Sequence, residues 1–217
     1  MRAMILAAGL GTRMRPLTEH TPKPLLHVGG KPLILWHIER LKEAGFEEIV
    51  INVAYLGDQI MRYLGDGSEY GVRLYFSDER REGPLETAGG IIKALPLLSE
   101  TFLVVNGDIW TDYPFVVDWE LPDWALAEII VVENPPHHPE GDFFLHGKTE
   151  KKTFSGIGYY KKRLFETLPQ GKQALAPLLF DAVKEGALKT TYYGGHWYDI
   201  GTVERLEQLN GFINEDA

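Results

Sequence analysis

Apolar residues along the chain fall into short runs with the length of buried strands, and between them into stretches with helical spacing. Short runs rich in Val, Ile, Leu and aromatic residues predict strands over 4–8, 48–53, 72–76, 102–105, 124–133, 153–160 and 188–193. Spacing of three to four residues, helped by Pro32 near one start and Gly45 at one end, predicts helices over 31–44, 58–64, 91–98, 176–185 and 203–213. Because strands and helices alternate, we expect a layered α/β sheet.

The composition fits one globular domain. The chain has 217 residues, of which 44% are hydrophobic and 12% aromatic, so it can bury a substantial core. We expect a single domain over 1–217. The absence of cysteine excludes disulfides, thiolate metal sites and Cys nucleophiles. Apolar runs fall short of the ~20 residues of a membrane span, and a cytoplasmic location is the simplest expectation.

The charge of the chain limits its partners. A formal net charge of -9 argues against a general binder of nucleic acid or of membrane surfaces, because these polyanions would be repelled. A small anionic substrate would therefore need a local cationic patch. Arg13, Arg15 and Lys23 lie close together in the sequence and supply one. No feature indicates an obligate protein partner.

The patch belongs to a glycine-bearing loop that follows the first predicted strand. In an open α/β sheet, ligands bind beyond the carboxyl ends of strands. Gly9 and Gly11 permit a tight turn whose amides could cradle phosphate, with Arg13 and Lys23 as cations. Taken alone, the same glycines could serve only the fold. A dinucleotide-binding fingerprint fits worse, because Met14 stands where its third small residue is needed.

Longer strings in the sequence are more specific than their glycines. The stretches 6–18 and 21–25, then 106–108 and 197–202, resemble the signature of the sugar-1-phosphate nucleotidyltransferases, and together they extend over nearly the whole chain. This resemblance implies a Rossmann-like layered α/β/α domain with a mainly parallel mixed sheet, of the GT-A-like kind. It also implies transfer of a nucleotidyl group to a sugar 1-phosphate with Mg²⁺. We expect no C-terminal left-handed β-helix domain.

The resemblance also assigns candidate residues. Arg13 and Lys23 would be catalytic, and Asp108 and Asp199 would hold Mg²⁺, since two carboxylates leave positions open for phosphate oxygens. From the residues alone, Asp108 could equally be a turn Asp, and Asp199 could cap the helix after it. The residues expected to contact the nucleotide are Ala8, Gly9, Gly11, Thr12, Arg13, Lys23, Glu86, Gly89 and Asn106.

Two other segments carry weaker assignments. The stretch 85–90 resembles the base-contacting loop of the family, and it could equally be the start of a helix with Thr87 as the N-cap. On the sugar side, Asp108, Gly141 and Glu150 are the candidates, although the segment after Glu150 is shorter than in the family. His137 and His138 adjoin prolines and are expected in a surface loop. The aromatic pairs at 192–193 and 197–198 are expected to pack against the rest of the protein.

Within the family, the short chain and the stretches 85–90 and 153–158 are most similar to members that use UTP and N-acetylmuramate 1-phosphate. Transfer of guanylyl to mannose 1-phosphate, or another NDP-sugar pyrophosphorylase activity, is the main alternative. Two alternatives from other classes are a glycosyltransferase of similar fold and a nucleotide-sugar sensor without catalysis. Retention of Arg13, Lys23, Asp108 and Asp199 argues against the sensor.

Overall fold

A computed structural model describes residues 1–145 and 148–215. The predicted single domain over 1–217 therefore includes 146–147 and 216–217, which lie outside the described residues. The strands are β1 Arg2–Leu6, β2 His27–Val28, β3 Lys31–Pro32, β4 Glu48–Val53, β5 Arg73–Asp78, β6 Thr101–Asn106, β7 Ile109–Thr111, β8 Ala127–Val132, β9 Phe143–Phe144, β10 Lys151–Lys161, β11 Leu188–Tyr192 and β12 Trp197–Asp199. The helices are α1 Leu33–Glu43, α2 Gly57–Leu64, α3 Glu86–Ala94, α4 Leu175–Lys184 and α5 Val203–Glu215.

The main sheet is mixed and mainly parallel, as the resemblance implied. Its strands run in the order β11-β8-β10-β6-β1-β4-β5, with β9 paired to β10. The pairs β5–β4, β4–β1, β1–β6 and β8–β11 are parallel, whereas β10 is antiparallel to both β6 and β8. A parallel crossover needs a covering helix, and the helices α1 to α4 supply these layers.

Side chains along each central strand alternate between two hydrophobic cores. In β1, Ala3 and Ile5 pack on the side of α1 and α2, while Met4 packs on the side of α3 and α4. In β6, Leu103 and Val105 share the first core, and Phe102 and Val104 the second. This period of two buries both faces of the sheet, and the result is the expected α/β/α layering.

A third, smaller core lies outside the main sheet. It joins α5 to two short ribbons, β2 with β3 and β7 with β12, through residues that include Met14, Trp110, Ile200 and Leu209. The ring of Trp110 contacts the rings of Trp36, Tyr198 and Phe212 edge-on at centroid distances of 5.9, 6.0 and 5.8 Å. These aromatic contacts fix the β7–β12 ribbon against α1 and α5.

The predicted elements are present, with some shifted ends. Strand β4 has the predicted bounds, and β8 begins three residues late because the Ala125 amide donates to the Pro122 carbonyl at 3.0 Å in a turn. Helix α3 begins at Glu86, not Ile91. A helix start, one of the two interpretations of 85–90, is therefore present, with Leu85 and not Thr87 as the N-cap. The helix ends at Ala94, before a short 3-10 turn that contains Pro96. Across the described part of the chain, no helix has both the length and the apolar character that membrane crossing requires.

Buried His37 in α1 makes the stability of the fold depend on pH. Burial is the main cause that lowers the pKa of His37 from 6.5 to about 4; Arg40 lowers the pKa further, while a hydrogen bond to the Ile109 backbone and the charge of Asp108 raise it. Below pH 6.5 the unfolded chain binds a proton that the folded chain accepts only near pH 4. The free energy of unfolding should therefore fall by about 3 kcal/mol over this interval from His37 alone.

His37→Gln tests this prediction, since glutamine can still donate to the Ile109 backbone and does not titrate. Urea unfolding at several pH values between 7 and 4 should show a shallower loss of stability in the variant than in the parent chain. Parallel curves for the two proteins would contradict the assignment of this pH dependence to His37.

Candidate active site

A cavity of ≈510 Å³ opens beyond the carboxyl ends of β1 and β6. This is the edge at which open α/β sheets bind ligands. Most residues expected to contact the nucleotide line the cavity, namely Ala8, Gly9, Gly11, Thr12, Arg13, Lys23, Glu86 and Asn106, and so does Asp108. The fold thus brings the loop after β1, the start of α3 and the end of β6 together around one cavity.

The loop after β1 has a shape set by Gly11 and Thr18. Gly11 has a φ of +63°, and an added Cβ there would lie 3.0 Å from the Thr18 methyl group, so other residues would be strained. The fully buried Thr18 hydroxyl donates to the Gly11 carbonyl at 2.7 Å. A 3-10 turn over Thr12–Met14 follows, which buries Met14 and leaves Arg13 exposed at the cavity wall.

A buried polar network links this loop to the start of α3. The Ala7 amide donates to Asn52 Oδ1 at 2.8 Å, and Asn52 Nδ2 donates to Glu79 Oε1 at 2.8 Å. The Leu85 amide completes the chain by donating to Glu79 Oε2 at 2.9 Å. Burial raises the pKa of Glu79, and the hydrogen bonds from Leu85 and Asn52 oppose that rise. Asn52 and Glu79 line the cavity as well, so the network fixes the separation of its two walls.

Lys23 and Asp108 form an ion pair in the cavity. Lys23 Nζ lies 2.9 Å from Asp108 Oδ2, and the Lys23 side chain is 10% exposed against 43% for Asp108. The neighbouring Gly107 amide donates to the Leu6 carbonyl at 2.8 Å, and a Cβ at Gly107 would come within 2.4 Å of that oxygen. Close approach of β1 therefore requires glycine here and directs the next residue, Asp108, toward Lys23.

Asp199 reaches the site through the β7–β12 ribbon. Asp199 pairs with Ile109, and the Ile200 amide donates to the Asp108 carbonyl at 2.9 Å, so the two aspartates lie at the same end of the ribbon. Asp199 itself is not part of the cavity lining, which includes Gly201 two residues on. Its Oδ2 atom accepts from Arg205 and lies 3.1 Å from His137 Nε2.

The donor set suits a hard divalent cation. Within residues 1–145 and 148–215 there is no cluster of three or more His, Cys, Asp or Glu side chains with metal-binding geometry. Mg²⁺ is usually held by one or two carboxylates together with substrate phosphates. Asp108 and Asp199 could therefore hold it as a pair, with Lys23 beside them, and a cation at Asp199 would compete with Arg205 for the carboxylate.

The structure keeps three predicted residues away from the cavity. Gly89 donates from its amide to the Gln173 carbonyl at 3.1 Å, and it packs so closely on Gly171 that a Cβ would lie 2.3 Å from the Gly171 oxygen. Gly141, with a φ of +62°, packs on the Lys151 backbone. Glu150 is exposed and lies 3.7 Å from Lys152. None of the three lines the cavity: the two glycines pack on neighbouring backbone, and the Glu150 side chain is exposed.

Other residues of the site went unrecognised in the sequence. Asn52 and Glu79 are buried polar side chains at strand ends, which a pattern of polar residues after apolar runs could have found. Lys172, which lines the cavity and lies 3.3 Å from Glu86, comes from a loop with no regular pattern. His137, expected in a plain surface loop, reaches Asp199 across 62 residues of sequence.

Replacement of Glu79 by glutamine tests the network between the two walls. The glutamine amide can accept only once where the carboxylate accepts twice, so either Asn52 Nδ2 or the Leu85 amide loses its partner. We expect Glu79→Gln to lower the free energy of unfolding by about 1–3 kcal/mol in urea at pH 7. The control is Glu82→Gln, whose side chain is 48% exposed. Equal stability of the two variants would contradict a structural role for Glu79.

Comparison with known proteins agrees with this geometry. Residues 2–119 match the model of the nucleotidyl transferase family. The chain is 51% identical to an N-acetylmuramate alpha-1-phosphate uridylyltransferase of Neisseria meningitidis, over 96% of each chain. It is 33% identical to a mannose-1-phosphate guanylyltransferase catalytic subunit beta of Drosophila pseudoobscura pseudoobscura, over 92% of this chain and 59% of that protein. The CTP:phosphocholine cytidylyltransferase of Streptococcus pneumoniae superposes with a TM-score of 0.75 at 27% identity, over 98% of both chains.

Proposed function

The chain belongs to the nucleotidyl transferase family, and we propose that it transfers a uridylyl group from UTP to N-acetylmuramate 1-phosphate. The products are UDP-N-acetylmuramate and pyrophosphate, and the reaction returns a recovered cell-wall sugar to peptidoglycan synthesis. One observation carries the reaction type: a single cavity at the carboxyl end of β1 combines the loop over 8–13 with the Lys23–Asp108 pair. We assign the whole stretch 1–217 to one catalytic domain.

The reaction requires two polyanions to approach each other in line. An oxygen of the sugar phosphate attacks the α-phosphorus of UTP, a new P–O bond forms, and the bond from the α-phosphorus to the bridging oxygen of the β-phosphate breaks. Pyrophosphate leaves with the bonding electrons. The attacking phosphate is already ionised near neutral pH, so the protein need not provide a general base, and catalysis consists of alignment and charge neutralisation.

Residues of the cavity have distinct roles in this proposal. The loop with Gly11, Thr12 and Arg13 holds the triphosphate, and the Lys23 ammonium group contacts its phosphates. Because Lys23 is 9% exposed, its charge acts in a partly desolvated place where electrostatic contacts are stronger than in water. Glu86 and Asn106 line the same cavity, and we assign them to contact with the nucleotide. Arg13 and Lys23 form a local cationic patch, which can attract anionic substrates although the chain has a net charge of -9.

Asp108 and Asp199 would hold Mg²⁺, which neutralises negative charge on the phosphates when bound. Asp108 also restrains Lys23 through their 2.9 Å contact, so the cation of the side chain stays in the cavity before substrate arrives. We assign Gly141 and Glu150 to the sugar side on the resemblance of their segments to the family.

The choice of substrate rests on similarity. The relative that is 51% identical over 96% of both chains is an N-acetylmuramate alpha-1-phosphate uridylyltransferase. The guanylyltransferase relative is 33% identical, and this chain spans 59% of its length. Mannose 1-phosphate with GTP is therefore the second candidate. We place the reaction in the cytoplasm, where UTP is made.

The reaction is tested by measuring pyrophosphate release with Mg²⁺ for each pairing of UTP, GTP, dTTP and ATP with muramate, glucosamine, glucose and mannose 1-phosphates. We expect release to depend on UTP and N-acetylmuramate 1-phosphate together. Release with GTP and mannose 1-phosphate instead would keep the mechanism and replace the substrate. A folded protein that is silent with every pair would support the glycosyltransferase or the sensor.

Arg13 and Lys23 are the side chains whose loss should cost most. We expect Arg13→Ala and Lys23→Met each to lower kcat/KM by ~10²-fold or more, the range found when a preorganised electrostatic group is removed. Arg62→Ala, an exposed position on α2, removes the same charge away from the cavity and serves as the control. Initial rates of pyrophosphate release measure the effect. Turnover of Arg13→Ala near that of Arg62→Ala would exclude the proposed role of Arg13.

A further inference from the structure

Arg205 and His137, two side chains outside the catalytic set, meet at Asp199 next to the cavity. Arg205, in the first turn of α5, donates to Asp199 Oδ2, and its Nη1 atom also lies 2.7 Å from His137 Nε2. The Arg205 side chain is 18% exposed. The guanidinium lies against Gly201, which lines the cavity: a Cβ built on Gly201 would come within 2.4 Å of Arg205 Nη2. A cationic group therefore stands directly behind the cavity wall.

Arg205 is paired with the carboxylate of Asp199. In the proposed reaction that carboxylate is needed to hold Mg²⁺. When Asp199 holds a cation, its carboxylate no longer compensates the guanidinium alone, and a half-buried charge without an adequate partner is costly. Arg205 then has donors free in a planar arrangement that matches a second carboxylate. His137 stands beside it on the loop that also holds Gly141, the predicted sugar contact. Arg205 is thus a cation that can meet a second anionic group of the proposed sugar substrate, with the His137 ring beside it.

N-acetylmuramate 1-phosphate carries two anionic groups, the phosphate and the carboxylate of its lactyl ether. We propose that Arg205, with His137 beside it, binds the lactyl carboxylate and so selects muramate over sugars without that group. This inference rests on the proposed function. Nearby Lys152 is a poorer candidate because Glu133 holds its Nζ atom at 2.7 Å. Arg13 and Lys172 line the cavity together with Glu86, on the nucleotide side.

The selection has a simple electrostatic basis. A sugar 1-phosphate without the lactyl group leaves the Arg205 donors without an acceptor from the substrate, whereas muramate supplies one of matching shape. A hydrogen bond to a charged group is typically worth enough to change affinity by about 10- to 100-fold. Discrimination between N-acetylmuramate and N-acetylglucosamine derivatives should therefore depend on this one guanidinium.

Product binding measures the selection directly, because UDP-N-acetylmuramate and UDP-N-acetylglucosamine differ only in the lactyl group. Titration calorimetry with Mg²⁺ should show that Arg205→Leu reduces the ratio of their affinities by about 10- to 100-fold. Arg205→Lys should recover part of the ratio, since it keeps the charge without the planar donors. Arg62→Leu on α2 is the matched control and should keep the parent ratio.

A methyl ester of the lactyl carboxylate provides a test on the unaltered chain. The parent should lose about as much affinity for the esterified product as Arg205→Leu loses for the acid, and Arg205→Leu should lose little more on esterification. Equal losses for both UDP-sugars in Arg205→Leu, with the parent indifferent to the ester, would overturn the proposal and leave Arg205 as a positioning residue for Asp199. A parent that fails to release pyrophosphate from UTP and N-acetylmuramate 1-phosphate refutes the proposed function instead.

Discussion

The backbone pairing of β7 with β12 is the constraint on which the candidate site depends. It joins residues that are about ninety positions apart, since the Ile200 amide donates to the Asp108 carbonyl at 2.9 Å. Without this pairing, Asp108 would end a strand of the main sheet alone, and Asp199 would lie on a distant loop. The ribbon is held in turn by Trp110, whose ring packs between α1 and α5. The packing of an aromatic side chain outside the cavity lining thus sets the position of two carboxylates.

Electrostatics explains how an acidic chain can receive two polyanions. The positive side chains of the site are few, but Lys23 is nearly buried, and Arg13 stands at the wall of the same cavity. Three acidic groups of the site face cations: Asp108 faces Lys23, Asp199 faces Arg205, and Glu86 faces Lys172. Arriving phosphates can therefore take over cations that the protein has already positioned, at low cost in reorganisation.

Local pattern predicts much of this fold, because the buried strands are continuous apolar runs. Strand β4 could be bounded correctly since every residue from Ile49 to Val53 is buried. The start of α3 could not, because its turn depends on the distant Glu79 carboxylate and on a φ of +62° at Glu86 that no local preference indicates. The two short ribbons escaped prediction because strands of two or three residues carry no period, and their pairing is a property of the tertiary structure.

The candidate site likewise has one part that the sequence predicts and another part that depends on tertiary contacts. The loop over 8–13 and the pair Lys23 and Asp108 follow from strings in the sequence, and they share one cavity. Gly89, Gly141 and Glu150 were assigned by resemblance alone, and none of them lines the cavity. His137 and Arg205 could not be found, because an ordinary loop histidine and an ordinary helix arginine gain significance only where the fold brings them to Asp199.

The central claim is that Asp108 and Asp199 together hold the metal while the loop over 8–13 holds the diphosphate. A crystal structure with Mn²⁺ in place of Mg²⁺ and with UDP-N-acetylmuramate tests it most directly, through the anomalous signal of the metal. We expect one strong peak bonded to a carboxylate oxygen of each aspartate and to the diphosphate, with Arg205 released from Asp199. A metal bound elsewhere, or a diphosphate that makes no contact with residues 8–13, would contradict it.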